Sequence, residues 1–574
     1  MPTASASLTR LFALALLFTL LNAFKPLCID DTLYHYHAEQ IAEHPLDPYG
    51  FRVFQNDRPE PAIQALSPVL MQYWWAIAIK VFGQHPFWWK LWLFPYALLL
   101  VFSLHSLLRR FAGRYEMILT GMVILSPVFL PSFNLMLDVP AAALVLLAIV
   151  IFLSASERES LLLAAAAGLV AGIAAQTKYN GLVAVGVILF HSLLFRRYRV
   201  GILAAFAAGA FFLSWEAFIY LSAGRSHFLA QSQTYGSVNL MAKYAYLAWP
   251  IVTIMGAVAP FFMLLALVAL GVKRRVIAVA AIVVTLGFLL IAFVPERLQS
   301  WGGNKNLAFA HVVFSVFGIS FFASLLLVIG SLTKISRNVK DYLPAWPEFK
   351  VEWFLVGWWL MEVVAYFVLS PIPAVRRVLL LLVISTLLVG RLLAQSAPAR
   401  APLVRLTAFG SILLGLLFYA VDFRDASAEK ASIEQARQTI ATMPPGQTTW
   451  YLGRWGLQFY GEQAGMKPVL PDESDLHSGD WLVTTDSVYA PEPVLAHLRR
   501  YRLRPMAEFA IGDRLPLSTM LGYYNSGIPL HHQEGPRRKV KIYRIEGPAP
   551  PGENEINSLL SIAELSISSL WVSS

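Results

Sequence analysis

Apolar stretches of about 20 residues recur along the first 421 positions, and each is long enough to cross a hydrocarbon core of roughly 30 Å as a helix. Such a core offers no water to backbone N–H and C=O groups, so a run of this length is held to an α-helix, which bonds them internally. Charge agrees with length: 57% of the 574 residues are hydrophobic and only 14% charged, where a soluble domain carries about 25% charged residues. The chain reads as a polytopic α-helical membrane protein.

The net charge of +10 is not a nucleic-acid footprint, because Lys and Arg sit in short clusters between the apolar runs, as the positive-inside rule places them. Cys28 stands alone, which excludes an internal disulfide and leaves the redox compartment open. Thirteen spans are expected, over about 8–27, 89–108, 116–133, 139–154, 160–177, 181–195, 200–221, 250–271, 276–294, 307–331, 352–370, 378–395 and 402–421. No small-residue cleavage site precedes Lys25, so the first span reads as an uncleaved helix.

With the N-terminus cytoplasmic, the basic clusters at Arg109, Arg110 and Arg114, at Arg196, Arg197 and Arg199, and at Lys273, Arg274 and Arg275 all fall inside. The pattern holds when Pro68–Phe82, short and aromatic, is a juxtamembrane helix on the outer side rather than a span. The outer face then receives Asp30 and Asp31, the turn with Asp138, the turn with Lys178, the "PERLQSWGGNKN" loop, and the turn with Arg376 and Arg377. Everything after Val421 also lies outside. There, short alternating runs ("TTWYLG", "DWLVTTD", "KVKIYRIE") alternate with helical patterns, as in a small α/β domain. The expected division is residues 1–421 in the membrane, with 28–88 as the first outer loop, and 422–574 outside. The final "INSLLSIAELSISSLWVSS" is weakly amphipathic.

Asp30 and Asp31 precede a helical pattern with Tyr34, Ala38 and Ile41 on one face. A helix cap is one reading of such a pair; a general base or metal ligand at the membrane rim is the other. Asp138 before Val139 and Pro140 has the same two readings. Lys178 in "QTKYNG" could simply snorkel. Arg376 and Arg377 stand on the outer side against the positive-inside bias, where they would suit a phosphate near the outer leaflet. His35 and His37 point to different helix faces, and His35 shares one with Glu39. They read as structural. "WGGN", "YLGRWG" and "GYYNSG" read as turns. No phosphate-binding glycine loop, zinc spacing or serine-nucleophile motif is present.

The stretch "DDTLYHYHAEQIAEHPLDPYGF", followed by "NLMLDVPAAALVLLAIVIFL", "GLVAGIAAQTKYNGLVAV" and "SPIPAVRRVLLLLV", resembles the membrane-embedded glycosyltransferases of superfamily C. It is particularly similar to the bacterial branch related to dolichyl-phosphate-mannose protein mannosyltransferases and to the aminoarabinose transferases of lipid A. The similarity is densest over residues 8–200. It departs at Arg376, followed here by Arg377 and without the family's later proline.

The resemblance implies transfer of a sugar from a polyprenyl-phosphate donor to an acceptor hydroxyl on a lipid, glycan or protein at the outer face, with inversion. It implies Asp30 as general base, Asp31 and Asp138 as groups that position the acceptor or a divalent ion, and Lys178 with Arg376 or Arg377 as the phosphate binders. Metal dependence stays open, since an Asp pair acts with or without an ion. The partners implied are the donor, the acceptor and membrane lipids, with no nucleic acid, at the inner (plasma) membrane of a bacterial cell. A transporter or lipid flippase, whose charges would line a substrate path, is the competing class.

Overall fold

The computed structural model describes residues 4–54, 58–236, 240–294, 309–338, 346–395, 400–471, 473–486, 492–513, 515–520, 522–533 and 535–548. The "PERLQSWGGNKN" loop after Pro295 and the final amphipathic segment lie outside the described residues. The chain forms two compact units: Met1–Phe24, Pro68–Val421 and Leu517–His532 make one, and Lys25–Ser67, Asp422–Pro516 and Gln533–Ser574 the other. One unit boundary falls between Val421 and Asp422. Most of the first outer loop groups with the C-terminal residues, and a strap of those residues groups with the membrane helices.

In the first unit, nine helices among the described residues are long and apolar enough to cross a membrane, and four shorter apolar helices accompany them. This is a multi-pass membrane protein. Together these helices overlap all thirteen expected spans, with two adjustments that proline explains. The expected 250–271 is divided between Leu240–Val258 and Pro260–Ala269, because Pro260 has no N–H to continue the first helix and instead opens the second. The expected 116–133 shares the run Pro86–Ile124 with the span before it, and its helix stops at Ile124. Pro127 and Pro131 follow, and residues 125–137 pass through the protein interior as turns.

Non-helical backbone at such a place must find partners within the protein. The strap supplies them. The hydroxyl of Tyr523 lies 2.8 Å from Pro127 O and 3.0 Å from Val128 O, and 2.8 Å from Ser132 Oγ. Asn134 Nδ2 donates to the Pro131 carbonyl at 3.0 Å and to Tyr524 Oη at 3.2 Å. The stretch "GYYNSG", read as a turn, thus contains a buried helical turn, Gly522–Asn525.

The juxtamembrane helix is present as Leu70–Phe82. Trp74 Nε1 donates to Trp92 O at 3.0 Å and Trp92 Nε1 to Trp74 O at 3.1 Å, with the indoles stacked at 5.1 Å. Helices Leu161–Thr177 and Tyr198–Ala223 pack through small residues, Ala167, Gly168, Ala171 and Gly172 against Ala204 and Ala208. Lipid gives such helices no hydrophobic reason to associate, so close backbone approach holds them. A Cβ at Gly168 would sit 2.1 Å from Ala204 O. We therefore expect Gly168→Ala to lower stability by about 1–3 kcal/mol, the usual cost of overpacking, read as a lower melting temperature in detergent.

The second unit is α/β. Its five-stranded sheet runs in the order Lys467–Pro468, Thr449–Tyr451, Trp481–Thr485, Arg538–Pro548, Tyr501–Ile511. The first three strands are parallel to one another and the last two pairings are antiparallel. Trp450, Leu482, Val494, Leu498 and Ile545 form its core. The helix Ala401–Ala441 runs on past Val421.

Candidate functional site

Asp31 opens the helix Asp31–Glu43, and Tyr34, Ala38 and Ile41 are buried on one face as the spacing predicts. Asp30 takes the cap position and Asp31 the first turn, but the side-chain cap bond is missing. Asp31, fully buried, turns its Oδ2 back to accept from the Cys28 N–H at 3.4 Å. Asp30 keeps partial exposure. Just before it, Ile29 holds φ +48°, a left-handed conformation that is a genuine outlier for a β-branched residue. Strain of this kind costs about 1–3 kcal/mol and collects at functional sites.

The helix beneath the acids is fixed by the α/β residues of its own unit. The Tyr36 hydroxyl donates to Glu462, which also accepts from the Tyr451 hydroxyl at 3.0 Å. His35 packs edge-on to Phe459 at 5.2 Å and pairs with Glu39 at 3.2 Å, and His37 packs against Tyr49 and Phe51. Both histidines are buried. Lys25 is fully buried and bonds Asp422 at 2.5 Å. Burial works against its charge, but the Asp422 carboxylate outweighs that and holds the ammonium above its ordinary value.

In the membrane unit the remaining candidates converge. Asp138 is the first residue of the helix Asp138–Arg158, and the cap position belongs to Leu137, so Asp138 is not its cap. Instead its carboxylate is gripped by the Lys178 ammonium, with Arg376 Nη1 3.9 Å from Oδ2. Lys178 lies on the turn between Leu161–Thr177 and Tyr179–Leu182, and is directed inward rather than snorkelling. The arginines lie on the single turn Val375–Arg377, against which the strap helix Gly522–Asn525 packs.

Arg376 is buried and also contacts Met136 Sδ at 3.5 Å. Arg377 is half-buried, and its Nε is enclosed without a hydrogen-bond partner among the described residues. Three cations thus surround one carboxylate. Burial and the Arg377 charge pull the Lys178 ammonium below its ordinary value, against the opposing pull of Asp138.

Asp30 and Asp31 belong to one unit and the Asp138 cluster to the other. Among the described residues no three His, Cys, Asp or Glu side chains come together to hold a metal ion. Asp31 accepts from the Cys28 N–H, and Asp138 is paired with Lys178. The residues that motif reading passed over are Glu216, Tyr523 and Tyr524. An acid within the apolar run "AFFLSWEAFIYL" was a visible signal for the first; the tyrosines had none.

No family model and no curated protein matches the chain. Solved structures with a similar arrangement include the archaeal oligosaccharyltransferase AglB from Archaeoglobus fulgidus in complex with an inhibitory peptide and a dolichol-phosphate. It is 13% identical, with 88% of this chain and 73% of that chain covered and a TM-score of 0.47. ArnT from Cupriavidus metallidurans bound to undecaprenyl phosphate is 15% identical, covering 94% of this chain and 98% of that one, with a TM-score of 0.43. The same ArnT in the apo state is 14% identical over the same shares, with a TM-score of 0.44.

Proposed function

We propose that the protein is an integral-membrane glycosyltransferase that moves a sugar from a polyprenyl-phosphate donor to an acceptor hydroxyl. The observation that carries this reading is the cluster of Lys178, Arg376 and Arg377 around Asp138, with the Arg377 Nε unengaged. A sugar phosphate ester leaves as a phosphate, already a stabilised anion, so its departure calls for cations rather than a strong general acid. Lys178 and Arg377 bind the donor phosphate, and Arg376, whose Nη1 lies 3.9 Å from the Asp138 carboxylate, adds its charge beside them. Asp30 takes the acceptor proton, and Asp31 supports its placement. Attack by the acceptor oxygen on the anomeric carbon, opposite the departing phosphate oxygen, inverts that centre. The reaction takes place on the periplasmic side of a bacterial inner membrane, where the basic loops of the sequence orient the cluster.

The test is turnover of radiolabelled polyprenyl-phosphate sugars by purified protein in liposomes supplied with acceptor extracts. Release of polyprenyl phosphate with label in the acceptor is expected. Donor that crosses the bilayer with its glycosidic bond intact would make the protein a transporter. Arg377→Ala is expected to raise the donor KM about tenfold, the loss of one charge-assisted contact, and to leave the acceptor KM unchanged in the same assay.

A further inference from the structure

Glu216 makes a set of hydrogen bonds that the proposed chemistry does not use. It lies near the C-terminal end of the helix Tyr198–Ala223 and is buried. Its Oε1 accepts from Gln176 Nε2 at 3.1 Å and from the Tyr179 hydroxyl at 3.3 Å. Its Oε2 accepts from Ser226 Oγ at 2.6 Å and from the Phe228 N–H at 3.2 Å. These donors come from two places. Gln176 and Tyr179 bracket Lys178, whereas Ser226 and Phe228 belong to the start of the helix His227–Gly236, where Ser226 Oγ also accepts from the Leu229 N–H at 3.3 Å.

A carboxylate suits this position for two reasons. Only an acceptor on both oxygens satisfies donors on both sides, and the first turn of a helix favours a negative charge. Tyr179 is held a second time, its hydroxyl 2.6 Å from His227 Nδ1 and its ring edge-on to Phe228 at 5.1 Å. Lys178, in extended backbone between two helices, is therefore set by its two neighbours rather than by a helix of its own.

We propose that Glu216 is a positioning residue that locks the turn Gln176–Tyr179 to the start of the helix His227–Gly236, keeping the Lys178 ammonium aimed at Asp138 and at the donor phosphate. The inference rests on the reading of Lys178 as a phosphate-binding cation, and its experiment separates the two. Glu216→Gln places an NH2 group against one pair of donors. Tyr179→Phe removes a single hydroxyl and serves where the first variant folds poorly.

In protein reconstituted in liposomes, acylation of Lys178 by a lysine-reactive ester, followed by mass spectrometry, is expected to rise about tenfold in either variant, as for loss of a bond to a charged group. Labelling of the exposed Lys273 stays the same. Unchanged Lys178 labelling in both variants overturns the proposal whether or not the protein transfers sugar. With turnover as readout, Glu216→Gln is expected to lower donor kcat/KM about 10²-fold, as misplacement of a binding group does, and to add nothing in a Lys178→Ala background. An equal loss in that background would mean that Glu216 acts elsewhere. A wild type that turns over no donor refutes the transferase reading and leaves the labelling result standing.

Discussion

Asp30→Asn is expected to leave the protein folded and to slow sugar transfer by about 10²–10⁴-fold, the usual worth of a general base. Little stability is at stake in that change. Asp30 makes no side-chain capping bond and is partly exposed, and an amide keeps the size and shape of its carboxylate. What changes is the ability to take a proton. The strained Ile29, with φ +48°, supports the assignment, because the fold holds an unfavourable conformation at the residue that aims Asp30. Asp31→Asn makes the useful contrast, since Asp31 is buried and bonds the Cys28 N–H. It should lower the melting temperature where Asp30→Asn does not. The measurement is donor turnover alongside thermal melts of both variants; wild-type turnover by Asp30→Asn removes this residue from the base role.

Much of this was legible because the bilayer leaves few options. Run length alone located the membrane helices, and the departures fell where proline denies the backbone a donor, at Pro260 and after Ile124. Those prolines were visible; that residues 125–137 stay buried was not, because their partners Tyr523 and Tyr524 come from a strap nearly 400 positions away. The strand Tyr501–Ile511 escaped pattern reading for a related reason. It sits at the sheet edge, where alternation is weak and Pro505 is tolerated.

At the site, residue type and turn position singled out Asp138, Lys178, Arg376 and Arg377, and the structure pairs Lys178 and Arg376 with Asp138. Asp30 takes the cap position and Asp31 the first turn, as the capping reading places them, but the expected cap bond is absent, because it depends on side-chain direction, which residue order does not specify. Asp31 turns backward to Cys28 and Asp138 toward its cations. The two arginines share the turn Val375–Arg377, where Arg376 Nη1 stands 3.9 Å from Asp138 Oδ2.

Asp422→Ala is expected to cost about 3–5 kcal/mol of stability, the penalty for leaving one member of a buried ion pair without the other. Lys25 and Asp422 are fully buried at 2.5 Å, and the pair is not isolated. Asp422, Asp425 and Glu429 follow one another along one helix, where Arg537 grips Asp425 and Arg538 lies 3.4 Å from Glu429. The acids of this helix thus hold both the start of the first loop, with Asp30 and Asp31 a few residues on, and the last strand of the sheet. Replacing both partners, as in Lys25→Met with Asp422→Leu, removes the desolvation cost along with the attraction and should restore most of the loss.

The pH dependence has a definite sign. Lys25 is raised in the folded protein above its ordinary 10.5, so its contribution is fully present below that value and fades only as pH rises past the folded one. Denaturation between pH 6 and 9 should therefore leave the Lys25 contribution of the wild type intact, whereas in Asp422→Ala burial acts unopposed on Lys25 and the gap to wild type narrows as pH rises, with the double variant close to wild type throughout. A gap that does not narrow would mean that Lys25 stays protonated without Asp422, and a double variant as weak as the single would mean that this position requires charge for a reason other than pairing.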